Sequence, residues 1–381
     1  HSLSIGYLRS SPPRLLLIES CAMSAACFVQ VVLPVPLPKL FDYLAPREGP
    51  PPRPGTRVLV PFGRRQLVGV VTALRAHSDV PQGKLLPVGE VLDASEPILD
   101  ENLLRLLKWC WQYYKHAPGE VVIGALPPVL RKADGALPPA PRHYCLTAAG
   151  QDRLREPAGR APVQHAMLSA LAAGPVGQEA LVSIGSQWRK TLTDLVDRGW
   201  VASEVAAPEE SCPVPGPRLT ADQQEAVAGI TADFGRFRCH LLDGVTGSGK
   251  TEVYLRLLDT LLAAGGQALV LVPEIGLTPQ LLRRFRQRLG LEPAVIHSGL
   301  SAGARLQAWA AAQAGRAALV VGTRSALFTP MPRLGLIILD EEHDASFKQQ
   351  DGFRYSARDV AVKRAAELQI PVVLGSATPS L

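Results

Sequence analysis

Residues 244–251 read GVTGSGKT, and they constrain the fold of this chain more than any other segment. The segment matches the phosphate-binding pattern GxxxxGK[ST], and it lies between the apolar run CHLLDG and a helical pattern that begins at Lys250. Glycines let backbone N–H groups curl around phosphate oxygens, and the helix N-terminus adds positive potential. The sequence therefore predicts an α/β domain that binds a nucleoside triphosphate.

Strand and helix patterns alternate through the rest of the C-terminal half. The apolar runs QALVLVP, AVIHS, ALVVGT, LGLIILD and PVVLGSAT are separated by helical patterns, which is typical of a parallel sheet. LGLIIL is followed by Asp340 and Glu341, and open α/β sheets bind ligands at the carboxyl ends of their strands. We expect Asp340 to hold Mg²⁺ through water and Glu341 to orient or deprotonate the attacking water.

The predicted nucleotide site combines these two segments. Its catalytic residues are Lys250, Asp340 and Glu341, and Thr251 and Asp340 are the expected ligands of Mg²⁺. The predicted ATP-binding residues in the glycine-rich segment are Gly244, Thr246, Gly247, Ser248, Gly249, Lys250 and Thr251.

Composition shifts divide the chain into several segments. A leader extends to the first methionine, Met23, and we expect it to be non-native or disordered. The predicted order is a leader at 1–23, a β-rich domain closed by one helix at 24–132, a Pro-rich linker at 133–142, a winged helix at 143–206, a second linker at 207–217 and the ATP-binding lobe at 218–381.

The winged-helix prediction depends on two helical patterns followed by a strand-like run, interpreted as helix, helix and hairpin. Its recognition helix would carry Arg189 and Lys190. A helical spacer or a protein-docking module is the alternative, and the slightly acidic segment does not favour DNA contact over that alternative.

Composition excludes several classes of protein. The formal net charge of +6 permits binding to nucleic acid, although a solvated basic face would give the same value. The six cysteines form no CxxC pair, which indicates neither a zinc site nor a disulfide framework and favours a reducing cytoplasm. The sequence has no apolar run of 18 residues, so no membrane span is predicted.

Five ordered segments carry a resemblance to a known family. GVTGSGKT, LVPEIGLTPQ, GTRSALFTP, DEEH and GSATPS resemble consecutive motifs of superfamily 2 helicases, whose ATP-binding lobes are RecA-like. The wording PEIGLTPQ, GTRSALF and DEEHDASFKQQDGFRYSARD is similar to that of the PriA family of primosomal replication-restart helicases. VVLPVPLPKLFDYLAP and RVLVPFG, near the N-terminus, resemble that family's 3′-end DNA-binding domain.

The resemblance implies an ATP-dependent 3′-to-5′ DNA helicase that recognises stalled replication forks and begins primosome assembly. The implied ligands and partners are ATP, Mg²⁺, forked and single-stranded DNA with a 3′ end, single-stranded DNA-binding protein, and primosome and helicase-loader proteins. We expect a cytoplasmic, nucleoid-associated monomer. The chain looks like an N-terminal fragment that lacks a second lobe with its arginine finger, and the family's zinc-binding cysteines are expected only in that missing part.

The resemblance also implies DNA-binding residues. Phe41, Asp42 and Gly63 would line the pocket for the terminal 3′ nucleotide, although Phe41 taken alone is more typical of a core residue. The family often has a basic residue where this chain has Leu86, and Lys84 would replace it. Phosphate contacts along single-stranded DNA are expected from Thr278, Gln280, Thr323 and Arg324.

Other implied residues connect nucleotide and DNA. Gln223 resembles the adenine-reading glutamine of such helicases, and a solvent-facing helical glutamine is the alternative. The loop after DEEH would couple DNA binding to hydrolysis, and without the helicase context it would be a hydrophobic cluster. The predicted coupling residues are Phe347, Lys348, Phe353, Arg354 and Tyr355 in that loop, and Ser376 and Thr378 in the hinge segment GSATPS.

Two other functions stay open. The chain could bind fork DNA and ATP without appreciable hydrolysis, or it could belong to a motor that translocates on duplex DNA. The second alternative needs no 3′-end pocket, so substitution of Asp42 with Ala discriminates between it and the restart helicase.

Overall fold

Three β-sheets organise the residues that the structure describes, which are 28–93, 96–157, 162–205, 212–245 and 247–378 of a computed structural model. The predicted leader at 1–23 lies outside these ranges, as does Thr246. No helix in the described ranges has both the length and the apolar composition that a bilayer crossing needs.

The first domain is built on an antiparallel sheet. Its strands are β1 (Phe28–Val32), β2 (Phe41–Leu44), β3 (Arg57–Phe62), β4 (Arg65–Arg75) and β5 (Glu90–Val91), in the order β2-β1-β4-β3-β5. All five residues of β1 are buried, because both faces of this inner strand are covered. The β-rich character predicted for this region is confirmed.

Two helices follow this sheet where one was predicted. α1 (Glu101–Tyr113) begins at Asp100, whose side chain accepts a hydrogen bond from the amide of Leu103. α2 (Pro118–Ala125) begins with a proline at its first position, which suits a helix N-terminus as well as a turn. The prediction of a single closing helix was therefore wrong.

The second region has a small sheet and its own core. Its elements are β6 (Arg142–Leu146), α3 (Ala148–Arg155), α4 (Pro162–Ala172), β7 (Val176–Gly177), α5 (Gln178–Leu181), α6 (Trp188–Asp197) and β8 (Val201–Val205). β8 pairs with β6, with Val201 opposite Leu146, and the sheet order is β7-β6-β8. The predicted hairpin is absent from the described residues, because the partner of β8 lies before the first helix. Arg189 and Lys190 are exposed on α6.

The third region is the predicted parallel α/β domain. After α7 (Ala221–Thr231) its elements are β9 (Cys239–Asp243), α8 (Lys250–Ala263), β10 (Gln267–Leu271), α9 (Pro279–Leu289), β11 (Ala294–Ile296), α10 (Ala302–Gln313), β12 (Leu319–Gly322), β13 (Leu334–Leu339), α11 (Ala357–Leu368) and β14 (Val372–Ser376). Six parallel strands form one sheet in the order β11-β12-β10-β13-β14-β9. The predicted RecA-like sheet is confirmed.

A continuous apolar core joins the first domain to this lobe. Leu103, Leu107 and Val122 of the first domain belong to the same buried cluster as Leu269 and Val360 of the lobe. α1 packs against α11. The two regions therefore bury surface against each other, while the second region has a separate core around Met167 and Leu195.

Candidate nucleotide and DNA sites

The glycine-rich loop between β9 and α8 has the backbone shape that phosphate binding needs. Gly247 and Gly249 adopt left-handed conformations, with φ of 85° and 87°, which residues with a Cβ rarely adopt. α8 begins at Lys250, whose Nζ donates a hydrogen bond to the carbonyl oxygen of Gly244 (2.6 Å). The loop thus presents its backbone and one ammonium at a helix N-terminus, with Ser248 within it and Thr251 in the first turn.

Asp340 follows β13 and lies close to a tyrosine that sequence reasoning missed. The hydroxyl of Tyr254, a residue of α8, donates a hydrogen bond to Oδ1 of Asp340 (2.9 Å). Burial raises the pKa of Asp340 above its ordinary value, and the Tyr254 hydrogen bond partly opposes this shift. Tyr254 therefore positions the carboxylate predicted to hold Mg²⁺. Its pairing with a residue 86 positions away left no signal in the local sequence.

Glu341 has an unusual backbone conformation. Its φ of 51° lies in the left-handed region, which costs a non-glycine residue about 1–3 kcal/mol. Its Oε1 lies 3.7 Å from Nζ of Lys250, and its Oε2 lies 3.8 Å from Nδ1 of His343. The strained turn therefore brings the predicted catalytic carboxylate to the predicted catalytic lysine.

The end of β14 contacts both parts of this site. Oγ of Ser376, which is fully buried, lies 2.8 Å from Nδ1 of His343. The carbonyl oxygen of Ser376 accepts from the amide of Gly244 (3.1 Å). The Thr378 amide donates to Oγ of Ser376, and the Thr378 side chain is exposed. Ser376 thus joins the glycine-rich loop to the acidic segment, and Thr378 contacts this link through its backbone amide only.

Gln223 lies at the glycine-rich loop. Its Nε2 donates to the carbonyl oxygen of Ser248 (3.1 Å), and its Oε1 accepts from the amide of Thr220 (3.0 Å) at the start of α7. The structure places the side chain beside the phosphate-binding loop, with both of its amide atoms hydrogen-bonded to the protein, and gives it a helix-capping role. Adenine reading stays a prediction.

An ion cluster around the buried carboxylate of Glu252 holds α8 against α9. Glu252 follows Thr251, and both of its carboxylate oxygens accept from Nη1 of Arg288, at 3.0 and 2.8 Å. Arg256 and Arg284 lie 3.4 and 3.9 Å from the same carboxylate. Because the predicted DNA-contact residues Thr278 and Gln280 lie at the start of α9, this cluster fixes the nucleotide loop relative to them.

The residues predicted to contact single-stranded DNA differ in exposure. Thr278 and Gln280 are exposed at the start of α9, where Oγ1 of Thr278 accepts from the amide of Leu281. Both line a cleft of about 540 Å³ that also contains Asp340 and Glu341. Thr323 is only 4% exposed, so its side chain offers little surface to a ligand.

The loop after DEEH is partly core. Phe347 and Tyr355 are buried, with exposures of 3% and 8%, whereas Lys348 and Arg354 are exposed. Phe353 is half-buried and stacks on Tyr355, with ring centroids 4.8 Å apart. Arg324 contacts this loop through a hydrogen bond from Nη1 to the carbonyl oxygen of Ser346 (2.6 Å).

The same loop contacts the first domain. The amide of Arg354 donates to Nε2 of His116 (3.2 Å), and the amide of Ser356 donates to the hydroxyl of Tyr114 (3.3 Å). The His116 ring lies 5.4 Å from the ring of Phe353. Sequence reasoning did not identify Tyr114 or His116.

Asp42 lies in a separate cleft of about 550 Å³ in the first domain. Its Oδ2 accepts from the hydroxyl of Ser78 (2.7 Å), and Oδ1 lies 3.4 Å from Nε2 of Gln30. The cleft has cationic and aromatic walls, and its lining includes Lys39, Arg75, Trp111, Lys115 and His116. This lining suits a nucleotide with a phosphate.

Phe41 and Gly63 lie away from the lining of that cleft. Phe41 packs edge-to-face on Phe62, with centroids 5.4 Å apart, and Nζ of Lys39 lies 5.1 Å from its ring. Gly63, with φ of 61°, is in the exposed turn after Phe62. Neighbouring residues of a strand point to opposite faces of its sheet, so the side chains of Phe41 and Asp42 lie on opposite sides of β2. The sequence had predicted one pocket lined by both.

Lys84 and Leu86 lie in the segment between β4 and β5. Both are exposed, and the carbonyl oxygen of Leu86 accepts from the amide of Leu44 in β2 (3.0 Å). The structure thus places this segment against the strand that carries Asp42. The phosphate contact expected of Lys84 stays a prediction.

Two family models match separate parts of the chain. A 3′DNA-binding domain (3′BD) matches residues 30–127, and a DEAD/DEAH box helicase matches residues 220–380. These ranges contain the Asp42 cleft and the glycine-rich loop, respectively.

Curated relatives match across both ranges. Replication restart protein PriA of Haemophilus influenzae is 40% identical over 376 residues, which cover 93% of this chain and 49% of that protein. PriA of Bacillus subtilis is 33% identical, covering 86% and 50%, and PriA of Chlamydia pneumoniae is 34% identical, covering 99% and 50%. The chain spans about half the length of these relatives.

Proposed function

We propose that the parent protein of this chain is an ATP-dependent 3′-to-5′ DNA helicase. The proposal starts from the similarity of the chain to replication restart protein PriA over most of its own length. It recognises stalled or abandoned replication forks and initiates restart by primosome assembly. The observation that carries this proposal is that one apolar core joins the two domains that hold the sites, the 3′DNA-binding domain with the Asp42 cleft and the helicase domain with the Lys250–Glu341 site.

ATP is the proposed substrate of the lobe. The amides around Gly247 and Gly249 would hold its phosphates, and Lys250 would neutralise the outer ones. Thr251 and Asp340 fit Mg²⁺ because they supply a hydroxyl and a carboxylate, the hard oxygen ligands that this ion prefers. Mg²⁺ would neutralise charge that develops on the phosphate oxygens. Glu341 would orient the attacking water, and Gln223 would read adenine.

The contacts around Ser376 support coupling of ATP to DNA. A change at the phosphate loop would reach Ser376 through the amide of Gly244, and Ser376 would pass it to His343 beside Glu341. On the DNA side, Arg324 contacts the loop that carries Lys348, Phe353 and Arg354. Exposed Thr278 and Gln280 would hold the strand backbone near the acids.

The Asp42 cleft would hold the terminal 3′ nucleotide. Its carboxylate would accept a hydrogen bond from a free 3′ hydroxyl, and Lys39 or Arg75 would attract the adjoining phosphate. Single-stranded DNA-binding protein and the primosome and helicase-loader proteins are the proposed partners of the parent protein. For this chain alone we propose binding of fork DNA and ATP without appreciable hydrolysis, because a second lobe is expected to supply the arginine finger.

The test compares ATP hydrolysis and fork binding by this chain and by the full-length protein. The forks carry a leading-strand 3′ end that is either free or blocked by phosphate. We expect hydrolysis only in the full-length protein and tighter binding of both proteins to the free end, with Asp42→Ala abolishing that preference. Hydrolysis that ignores DNA structure would refute fork recognition, and an Asp42→Ala variant that discriminates as the wild type does would favour a duplex DNA translocase.

A further inference from the structure

The third carboxylate of the acidic segment, Glu342, is paired with an arginine that has no role in the site described above. Its Oε2 accepts a hydrogen bond from Nη1 of Arg358 at 3.0 Å. The Glu342 side chain is only 2% exposed, and that of Arg358 is half-buried. The pKa of Arg358 is raised above its ordinary value, and the hydrogen bond to Glu342 is the largest cause. A charged donor 16 positions later in the chain therefore holds this buried carboxylate.

The three consecutive acids at 340–342 have different partners. The first accepts from the hydroxyl of Tyr254, the second lies near the ammonium of Lys250, and the third pairs with Arg358. Carboxylates that lie close together repel, and each disfavours ionisation of the next. Arg358 therefore compensates a charge that would otherwise add to the repulsion between the two predicted catalytic acids.

The backbone around Glu342 is fixed as well as its side chain. Its amide donates to the carbonyl oxygen of Gly375 in β14 (2.9 Å), and the carbonyl oxygen of Glu341 accepts from the amide of Asp344 (2.9 Å). Glu341 has a left-handed φ of 51°, and such a conformation persists only where the surrounding structure determines it. These contacts hold the peptide group that follows Glu341, and with it the direction in which the Glu341 side chain leaves the turn.

Arg358 lies on a rigid element. It is in the first turn of α11, where Oγ of Ser356 caps the helix by accepting from the amide of Asp359 (3.3 Å). Ala357 and Val360, on either side of this arginine and aspartate, are fully buried. α11 packs against β13, the strand that leads into the acidic segment. A residue held on such an element positions its partner more precisely than a residue of a loop does.

Stability alone does not account for this ion pair. The cost of removing two charges from water offsets most of their attraction, and apolar residues of similar volume often stabilise such a position equally well. An ion pair with a hydrogen bond differs from an apolar contact because it fixes the distance and direction between two groups. The pairing of Glu342 with Arg358 therefore fits a positioning role better than a packing role.

We propose that Arg358 is a positioning residue for ATP hydrolysis. Through Glu342 it holds the turn in which Glu341 lies 3.7 Å from Nζ of Lys250, so that the Glu341 carboxylate can orient the attacking water. Arg358 acts on this carboxylate and not on the nucleotide, so its loss affects turnover and not the affinity for ATP. The inference rests on the proposed function and adds a residue to its site.

The test uses the full-length protein and measures ATP hydrolysis with saturating forked DNA. Arg358→Gln should lower kcat at least about 10-fold, because a displacement of about 1 Å at a catalytic group can cost about 100-fold. The KM for ATP should stay within about 2-fold of the wild-type value, since an interaction that acts only on turnover leaves ground-state binding intact. Arg358→Lys keeps a charged donor and should retain more of the kcat than Arg358→Gln does.

Further variants separate positioning from folding. Glu342→Gln should lower kcat as Arg358→Gln does, and the two changes together should lose no more than either alone. Glu342→Met/Arg358→Met leaves no unpaired buried charge, so it should melt close to the wild type and still lose kcat.

The matched control is Asp359→Asn. The Asp359 carboxylate is 43% exposed and lies 3.6 Å from Nε of the same arginine. Its removal breaks an exposed ion pair of Arg358 and keeps the buried one, so kcat should change by less than about 2-fold. Melting temperatures show which variants are folded, and each folded variant should bind a nonhydrolysable ATP analogue as the wild type does.

The outcomes distinguish the possible failures. A normal kcat in Arg358→Gln or in Glu342→Met/Arg358→Met would overturn the positioning role, and the proposed function would stand. A weaker affinity for the ATP analogue in folded Arg358→Gln would also overturn it, because the arginine would then act on nucleotide binding. Absence of DNA-stimulated hydrolysis in the wild-type full-length protein would count against the proposed function itself.

Discussion

Glu252→Gln is expected to reduce the free energy of unfolding of the helicase lobe by about 3 kcal/mol. The Glu252 carboxylate is 4% exposed, and its main partner, the side chain of Arg288, is 10% exposed. Glutamine keeps the shape of the side chain but removes its charge. The guanidinium of Arg288 then stays buried beside a neutral amide, with Arg256 and Arg284 close by.

The magnitude follows from the geometry. Breaking a buried ion pair costs about 3–5 kcal/mol, of which one charge-assisted hydrogen bond accounts for about 1.5–3 kcal/mol. The two contacts from Arg288 share one donor atom, so they count as one bond. Asp259 lies near Arg288 and Arg256, which oppose the rise that burial causes in its pKa. Its charge compensates part of the loss, so the lower end of the range applies.

The assay is urea denaturation followed by circular dichroism. Glu225→Gln is the matched control, because Glu225 is exposed on α7, and it should change the unfolding free energy by less than about 0.5 kcal/mol. Glu252→Gln/Arg288→Gln should lose less than the sum of the two single variants. A loss below about 1 kcal/mol in Glu252→Gln, or additive losses, would refute the argument that an unpaired buried charge dominates.

Three further substitutions test other parts of the structure. Burial raises the pKa of Asp340, so ionisation of this carboxylate destabilises the native state as pH rises above 3.8, the ordinary pKa of Asp. Asp340→Asn should therefore raise the melting temperature at neutral pH. If the gain in melting temperature does not shrink in acid, ionisation of Asp340 is not its cause. Asp93→Asn removes the carboxylate partner of Arg57, whose side chain is 2% exposed, and should lower the free energy of unfolding measured in urea by about 3–5 kcal/mol. The control Asp134→Asn, at an exposed residue, should leave that free energy almost unchanged. Gly375→Ala would place a methyl group 1.7 Å from the Tyr254 hydroxyl and should lower the free energy of unfolding by about 1–3 kcal/mol. Adding Tyr254→Phe to this variant should recover part of the lost stability. If no stability is recovered, the predicted clash with the hydroxyl is wrong.

The sequence predicted the helicase lobe well because its signals are local. A strand buried on both faces is a continuous apolar run, as in Leu334–Leu339, and the glycine-rich motif identifies the loop that connects β9 to α8. The second region was harder. Its β8 pairs with β6, whose partner residues lie 55 to 63 positions earlier, and no local pattern reports which distant strand is the partner.

In the candidate sites, too, residues with a local sequence signal could be predicted, and residues that act through distant contacts could not. Lys250 and Glu341 could be predicted because each belongs to a motif of consecutive residues. The structure brings the two side chains together. Tyr254 and His116 were missed because their roles come from contacts with Asp340 and Arg354, which lie far away in sequence. An aromatic residue in the sequence can be a core residue or a ligand contact, because the same side chain suits both roles. The pattern therefore could not predict that Tyr355 is buried.

The apolar core shared by α1, α2 and the helicase lobe has a consequence for limited proteolysis. The Pro-rich segments at 133–142 and 207–217 flank the second region, which has its own core. Cleavage in both segments should release that region as a small domain. The two remaining pieces, from opposite ends of the sequence, should co-elute in gel filtration because separation would expose Leu103, Leu107 and Val360 to water. The stable physical unit of this chain is therefore discontinuous in sequence.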